Sequence, residues 1–394
     1  MDFGLTAEQR EIQVLAREVA DTEIAPHAKV WDEERRFPVE LFARLGELGL
    51  MGVCVPEELG GAGADFLSYV IVLEELSRAD AGVGVTVAVH TSATTLPIVS
   101  FGSDEQRERF VPPLARGELL GAFALTEPGS GSDAASLRTT ATPVDGGWSL
   151  DGTKQWITSG GHAGTILLFA RTDPATPGAR GVSAFLVDGA AVEVTRVEEK
   201  LGLHSSSTVD LALRDVHVGR DRLLHEEGKG FAVAMETLDG GRIGIAAQAV
   251  GIAQAALDLA CGYAGEREQF GRPIAEFQGI QFKLADMATE VEAARQLTYR
   301  AAWLKQQGQP HSGAGAMAKL LASRVAVKTT QEAIQVLGGV GYTTELPAER
   351  YYRDAKITEI YEGTSEIQRI VIARELLGLV ERRLPRVVPD AALR

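Results

Sequence analysis

Two runs of small residues bring bare backbone N–H groups to a surface: Gly129-Ser130-Gly131-Ser132 and Gly338-Gly339-Val340-Gly341. Such groups suit a phosphate or a carboxylate, although a simple turn accounts for either run taken alone. Around the first lies Phe123-Ala124-Leu125-Thr126-Glu127-Pro128-Gly129-Ser130-Gly131-Ser132-Asp133, a strand end that runs into hydroxyl and small side chains. Further on, Gly152-Thr153-Lys154-Gln155-Trp156-Ile157-Thr158-Ser159 sets an indole beside hydroxyls, a pattern that a core tryptophan also produces. Three more polar segments follow: Arg267-Glu268-Gln269-Phe270-Gly271-Arg272-Pro273, Gln335-Val336-Leu337-Gly338-Gly339, and Tyr361-Glu362-Gly363-Thr364-Ser365-Glu366. Other chemistries lack local support. The seven histidines show no metal-ligand spacing with one another or with the two cysteines, so no bound metal is expected. There is no GxSxG nucleophile elbow. Neither glycine cluster sits between a strand and a helix in a βαβ unit, which removes the usual nicotinamide dehydrogenase.

Those segments need elements to position them. Residues 1–120 read as a helical domain. Thr6 and Gln9 make a capping box, after which Ile12, Leu15, Ala16 and Val19 recur at helical spacing. Pro38 opens a helix carrying Leu41, Leu45 and Leu48, and Ser103 with Gln106 caps one that holds Phe110. The glycine-rich stretch 56–63 is a loop between them. From 121 to 228 the apolar period shifts toward two, with runs at 165–170, 182–187, 192–197 and 208–213 separated by turn residues, so this is a middle β domain. From 229 to 394 helix returns. Phe277, Ile280, Leu284, Met287 and Val291 form one stripe, and Ala318, Leu321, Val325, Thr329 and Ile334 the next. Long alanine-rich helices with short breaks predict a C-terminal four-helix bundle. The fold class is α+β multidomain, in the order α, β, α.

The chain has 394 residues, 45% apolar and 24% charged, enough to bury more than one core, which excludes disordered and collagen-like classes. A net charge of -15 excludes nonspecific attraction to nucleic acid or to an anionic membrane. Cys54 and Cys261, far apart and read as buried thiols, fit a reducing compartment. No stretch is expected to span a membrane; the best candidate, 243–263, contains Gln248, Gln254 and Asp258. Met1-Asp2-Phe3 lacks the basic region of a signal peptide. The expectation is a soluble, cytoplasmic protein with no nucleic-acid partner and no membrane insertion. The tail around Arg382, Arg383 and Arg386 reads as a solvated end.

The five polar segments, in this order and at these separations, resemble the acyl-CoA dehydrogenase family, and within it the short-chain, butyryl-CoA type. The resemblance covers essentially the whole chain and takes in 56–61, 201–208, Leu238-Asp239-Gly240-Gly241-Arg242 at the opening of the first C-terminal helix, and 342–354. It implies FAD, with the isoalloxazine ring between the β domain and the bundle. Phe123, Leu125, Thr126, Gly131, Ser132, Trp156, Ile157 and Thr158 are then expected at the flavin. Arg267, Phe270 and Gln278, with Gln335, Val336, Leu337, Gly338 and Gly339, are expected at the pyrophosphate and adenine end, the last group reaching over from a neighbouring subunit; Thr364, Ser365 and Glu366 are further cofactor positions. It also implies a homotetramer arranged as a dimer of dimers, and an electron-transferring flavoprotein as acceptor.

The reaction that this resemblance implies is the desaturation of an acyl-CoA thioester to the trans-2-enoyl-CoA. A carboxylate removes the α-proton and the β-hydrogen leaves as hydride to flavin. Glu362 is the implied base: Gly363 allows close backbone approach, Thr364 caps the next helix, and desolvation by the acyl chain raises the proton affinity of the carboxylate. In isolation Glu362 would pass for an ordinary carboxylate at a helix N-terminus. Some relatives take the base from the first C-terminal helix, where the matching residue here is Gly241, which cannot abstract a proton. Ser132, Asp239, Arg242 and Gly363 are expected on the substrate side, Arg242 being equally readable as a helix-terminal salt-bridge partner. His204 replaces the arginine common in short-chain members and reads as a surface or interface residue. Two other readings stand beside this one: an oxygen-using flavoenzyme, either an acyl-CoA oxidase or a flavin monooxygenase, and a noncatalytic DNA-associated relative. Oxidases are typically much longer chains, the monooxygenases lack the glutamate, and the DNA-associated relatives carry a basic extension. Acyl length and branching, and with them the choice between fatty-acid and branched amino-acid catabolism, are left open, because one methylene alters discrimination by only about 1–3 kcal/mol.

Overall fold

The computed structural model describes residues 4–379. The readings made for Met1 to Phe3 and for the basic tail fall outside the described residues. Seven helices come first: α1 (Ala7–Val19), α2 (Ala25–Glu34), α3 (Val39–Glu47), α4 (Phe66–Ala79), α5 (Ala81–Ala88), α6 (Leu96–Phe101) and α7 (Asp104–Ala115). Both expected capping boxes are present, Thr6 with Gln9 and Ser103 with Gln106, each contributing about 1 kcal/mol. A π-helical stretch, Val89–Thr95, joins α5 to α6, so that Ala81–Phe101 is one 21-residue rod. It contains no Asp, Glu, Lys or Arg. This corrects the expectation that no stretch is apolar enough to span a membrane. By length and composition this rod qualifies, as does the first C-terminal helix, but they are 100% and 83% buried inside the protein, as core helices are.

Eight strands follow: β1 (Leu120–Ala124), β2 (Thr140–Val144), β3 (Gly147–Thr158), β4 (Ala163–Arg171), β5 (Val182–Asp188), β6 (Glu193–Val197), β7 (Thr208–Gly219) and β8 (Leu223–Leu224). They form one sheet in the order β6-β7-β3-β2-β4-β5-β8, with β1 lying parallel beside β4. The apolar runs in β4 and β5 are continuous because both faces are covered. Leu167, Phe169 and Leu186 join the helical core, while Ile166, Leu168 and Phe185 belong to a separate core on the other face. Register breaks in β3 between Lys154 and Ile157, where Trp156 takes φ +59°. Such an irregularity re-aims a side chain.

The bundle consists of α8 (Gly230–Glu266), a small hairpin of β9 (Glu268–Gln269) and β10 (Arg272–Pro273), then α9 (Gln278–Gln306), α10 (Ser312–Leu337), α11 (Ala348–Ile357) and α12 (Ser365–Leu376). Close packing on α4 depends on Gly251, where a Cβ would lie 2.3 Å from the Glu74 carbonyl oxygen. Asp239 and Arg242 fall well inside α8, not at its opening as expected. Cys54 is buried but Cys261 is exposed, which corrects the reading of both as buried thiols. His204, expected at a surface or an interface, is half-buried where three elements of the chain meet. Its Nδ1 lies 2.9 Å from Asp32 Oδ1 and its Nε2 2.9 Å from the Lys200 carbonyl oxygen, while Arg353 Nη2 reaches Asp32 Oδ2 at 2.6 Å. These contacts tie the loop before β7 to α2 and α11.

Candidate active site

A cavity of about 630 Å³ opens between β1 and β3 on one side and α8 and the α11–α12 turn on the other. Val85, Val89, Met235, Leu238 and Ile357 give it apolar walls. The β side supplies Phe123, Leu125, Thr126, Gly131, Ser132, Trp156, Ile157 and Thr158, and the helical side Arg242, Glu362, Gly363 and Thr364, all expected from the sequence. A second recess of the same volume lies by the N-terminus of α7, but its Arg109 is already paired with Asp221 at 3.0 Å. Only the first contains acids with a buried, unpartnered oxygen: Glu198, whose other oxygen pairs with Arg196 at 3.2 Å, and Glu362.

The β wall is held from beneath by a buried ion pair. Glu127 accepts from Lys154 Nζ at 2.8 Å, from the Thr139 N–H at 3.0 Å and from the Arg138 N–H at 2.6 Å. Lys154, fully buried, also donates to the Leu125 carbonyl oxygen at 3.2 Å. Burial by itself would raise Glu127; the Lys154 charge and the hydrogen bonds outweigh it and hold the carboxyl below the usual range. Above this support Trp156 is 58% exposed, and its backbone N–H donates to Asp210 Oδ1 at 3.1 Å.

Glu362 stands on a tight turn with φ +52°, followed by Gly363 at +89°. Thr364 caps α12 as expected, accepting from the Ile367 N–H at 3.3 Å. From Gln368, Nε2 donates to the Gly363 carbonyl oxygen at 2.7 Å and to that of Glu362 at 3.2 Å; Lys319 Nζ donates to the Gly363 carbonyl oxygen at 2.8 Å. The backbone of the turn is thus fixed while its carboxylate is not: Glu362 Oε2 is buried with no hydrogen-bond partner. Burial pushes Glu362 up to about 7, against the opposing charges of Arg242 and Lys319. At Gly241 a Cβ would sit 2.8 Å from that same Oε2, so the glycine makes room for the carboxylate. Arg242 is buried and ion-paired with Asp239, which also accepts from Ser312 Oγ at 2.8 Å.

Several expected residues are elsewhere. Asp239 turns to Arg242 and Ser312 and does not line the cavity. Ser365 is buried behind the turn, and Glu366 is exposed beside Arg369. Arg267, Phe270, Gln278, Gln335, Gly338 and Gly339 are exposed at the far end of the bundle, with Val336 and Leu337 buried under them. Along α8, 25 residues separate Arg242 from Arg267, or ~37 Å at 1.5 Å per residue. Within one chain these residues therefore do not meet the cavity, and this holds for Arg267, Phe270 and Gln278 as much as for the glycine segment. Sequence reasoning missed the apolar walls from α5 and α8, which look like any core residues. It also missed Lys154, Lys319 and Gln368; a lysine within a buried apolar pattern was the available signal.

The residues present fit a flavin. The lining is apolar over most of its area, and an exposed indole on a bulge offers a stacking face. Fold and cavity together define an enzyme-like site in which a buried acid faces an apolar slot. Three family models match the chain in order: the acyl-CoA dehydrogenase N-terminal domain over residues 6–118, the middle domain over 122–216 and the C-terminal domain over 228–377. The chain belongs to the acyl-CoA dehydrogenase family and is a flavin-dependent acyl-CoA dehydrogenase. It is 51% identical over 363 residues to the mitochondrial short-chain specific acyl-CoA dehydrogenase of Rattus norvegicus, covering 92% of this chain and 88% of that protein. Butyryl-CoA dehydrogenase from Megasphaera elsdenii superimposes with a TM-score of 0.94 at 46% identity, over 96% of this chain and 100% of that one. A chain from the structure reported for the electron transferring flavoprotein of Acidaminococcus fermentans gives 0.95 at 48% identity, again over 96% and 100%.

Proposed function

We propose that this enzyme is an FAD-dependent dehydrogenase of short-chain acyl-CoA thioesters, with Glu362 as the base that removes the α-proton. The observation that carries the reading is the buried, unpartnered Oε2 of Glu362 at an apolar cavity. A bound flavin supplies the acceptor for the β-hydride. The protein does the rest. Val85, Val89 and Leu238 exclude water around the acyl chain, Gly363 lets the thioester approach the main chain, and Oε2 receives the proton. A group ionising near 7 is matched to proton transfer at neutral pH, strong enough as a base and still partly ionised.

FAD over a shorter flavin is supported by the exposed set of Arg267 with the bare amides of Gly338 and Gly339, which suits a pyrophosphate. Because Arg267 lies ~37 Å along α8 from Arg242 and the glycines do not line the cavity, the reading includes a homotetramer in which this set serves a neighbour's cofactor. Short acyl groups are supported by the specificity named for the Rattus and Megasphaera proteins, and an electron-transferring flavoprotein as acceptor by the Acidaminococcus structure. A cytoplasmic setting is supported by two free cysteines. The test is anaerobic addition of butyryl-CoA to purified protein whose extracted cofactor has been identified as FAD. Bleaching that persists until an artificial electron acceptor is added is the expected outcome. Rapid reoxidation by oxygen would make it an oxidase, and no bleaching with any short acyl-CoA would end the substrate assignment.

A further inference from the structure

We infer that Lys319 is a positioning residue for the base: its ammonium clamps the turn that carries Glu362 and, through its charge, sets the pH range over which that carboxylate accepts a proton. The inference rests on the proposed role of Glu362.

Lys319 sits in the middle of α10 beside Ala316, Ala318 and Ala322, and it is fully buried. A lysine there is costly unless its charge is used or compensated. Among the described residues no carboxylate lies within 4.0 Å of its Nζ. Its hydrogen bond goes instead to the Gly363 carbonyl oxygen, one residue beyond Glu362, at 2.8 Å. One turn further along α10, Ser323 Oγ donates to the Thr358 carbonyl oxygen at 2.8 Å, so the same helix registers the end of α11 as well. Gln368 supplies a second, neutral donor to Gly363. The turn is therefore gripped by one charged and one uncharged side chain, which allows charge and grip to be separated by experiment.

The charge is placed to act on Glu362 without quenching it. A direct ion pair would occupy the oxygen that must take the proton; hydrogen-bonding to the adjacent carbonyl keeps the ammonium near and Oε2 free. The groups facing Glu362 are Arg242 from α8, Lys319 from α10, Tyr69 from α4 and the neighbouring Tyr361, with Glu359 and Glu366 acting on Lys319. Arg242 is already committed to Asp239. Lys319 is the cation on this side with no acid of its own. Burial lowers it to about 8, Glu362 opposing, so it still carries its proton where Glu362 ionises.

The test follows flavin reduction by butyryl-CoA in stopped flow as a function of pH for the holoenzyme and four variants: Lys319→Met, Lys319→Gln, Gln368→Met and Glu362→Gln. FAD content and melting temperature identify the folded ones. Losing the positive charge should make the Glu362 carboxylate harder to form. The rising limb should then move up by about one unit in Lys319→Met and Lys319→Gln, a loss of about tenfold near pH 6 that closes at alkaline pH. Should Lys319→Met fail to fold, Lys319→Gln, which keeps a donor, carries the test alone. Gln368→Met loosens the turn and leaves the charge, so it should lower the rate evenly at all pH values. An unmoved limb in the folded Lys319 variants overturns the inference, as does an equal shift in Gln368→Met. Glu362→Gln separates the two readings: if it keeps the wild-type limb and rate, the base is elsewhere and the proposed function fails; if it is inactive while the Lys319 limb is unmoved, only the role of Lys319 fails.

Discussion

Two buried glutamates, one on each side of the cavity, are treated in opposite ways. Glu127 is surrounded by donors, a fully buried ammonium and two backbone N–H groups among them, and is held below the usual carboxylate range. Glu362 has its backbone clamped and its Oε2 left bare, and burial takes it up to about 7. Both residues are acids near a prospective flavin, yet one holds a loop in place and the other is ready to take a proton. The difference lies in which atoms the surrounding structure satisfies. Completing the hydrogen bonds of a buried carboxylate makes it inert, and withholding them stores proton affinity at a cost in stability.

The largest effect expected from this contrast is on rate. Glu362→Gln should retain FAD but reduce flavin at least about a thousandfold more slowly with butyryl-CoA, since an amide cannot accept the α-proton. Rapid-mixing absorbance measures it, and near-normal bleaching would erase the distinction between the two acids. The second effect is on stability. Lys154→Met leaves Glu127 buried without its cation and should cost about 3 kcal/mol in denaturant unfolding, with loss of flavin from the loosened loop. Unchanged stability would mean that the backbone donors alone satisfy Glu127.

The smallest effect sharpens the comparison. An ordinary glutamate ionises near 4.5 and folded Glu362 near 7, so between those values the folded state holds a proton that the unfolded chain releases. Stability therefore falls as pH rises through that window. Glu362→Gln escapes the penalty, and at about pH 8 it should be more stable than wild type by about 1–3 kcal/mol, the gain vanishing below the unfolded pKa. Thermal melts at the two pH values would show it. A variant less stable than wild type at alkaline pH would mean that the ionised carboxylate has partners after all.

What could be read in the sequence was local, and what could not was set by distance. The capping boxes at Thr6 and Ser103 are three-residue patterns and lie where expected. The hydroxyl run after Phe123 and the segment around Trp156 were visible as composition, and they do line the cavity. Lys154 has no legible role within its motif, because its partner is 27 residues away and only the sheet brings them together. Arg267 and the glycines after Leu337 were recognisable as anion-binding material. Their separation from the cavity is a consequence of the lengths of α8 and α10, which no motif encodes. The apolar rod at Ala81–Phe101 escaped notice because Thr, Ser, Gly and His dilute its appearance, although none of them carries the fixed charge that would mark an exposed face.

That rod has a consequence for how the chain is made. Part of its cover comes from α8, where Gln248 Nε2 donates to the Ala81 carbonyl oxygen at 2.8 Å and Gly244 lies against Ala88. Yet α8 ends at Glu266, far downstream of Phe101. At bacterial to eukaryotic elongation rates the ribosome takes roughly 10–30 s to synthesise the intervening residues. For that interval the nascent chain carries a 21-residue segment, apolar enough for a bilayer, before its cover is complete. Whatever holds it meanwhile, whether the partly formed packing of α4 or a chaperone, must release it when α8 arrives. Substitutions that slow the docking of α8 should therefore appear as lost yield during synthesis before they appear as lost activity in the enzyme that survives.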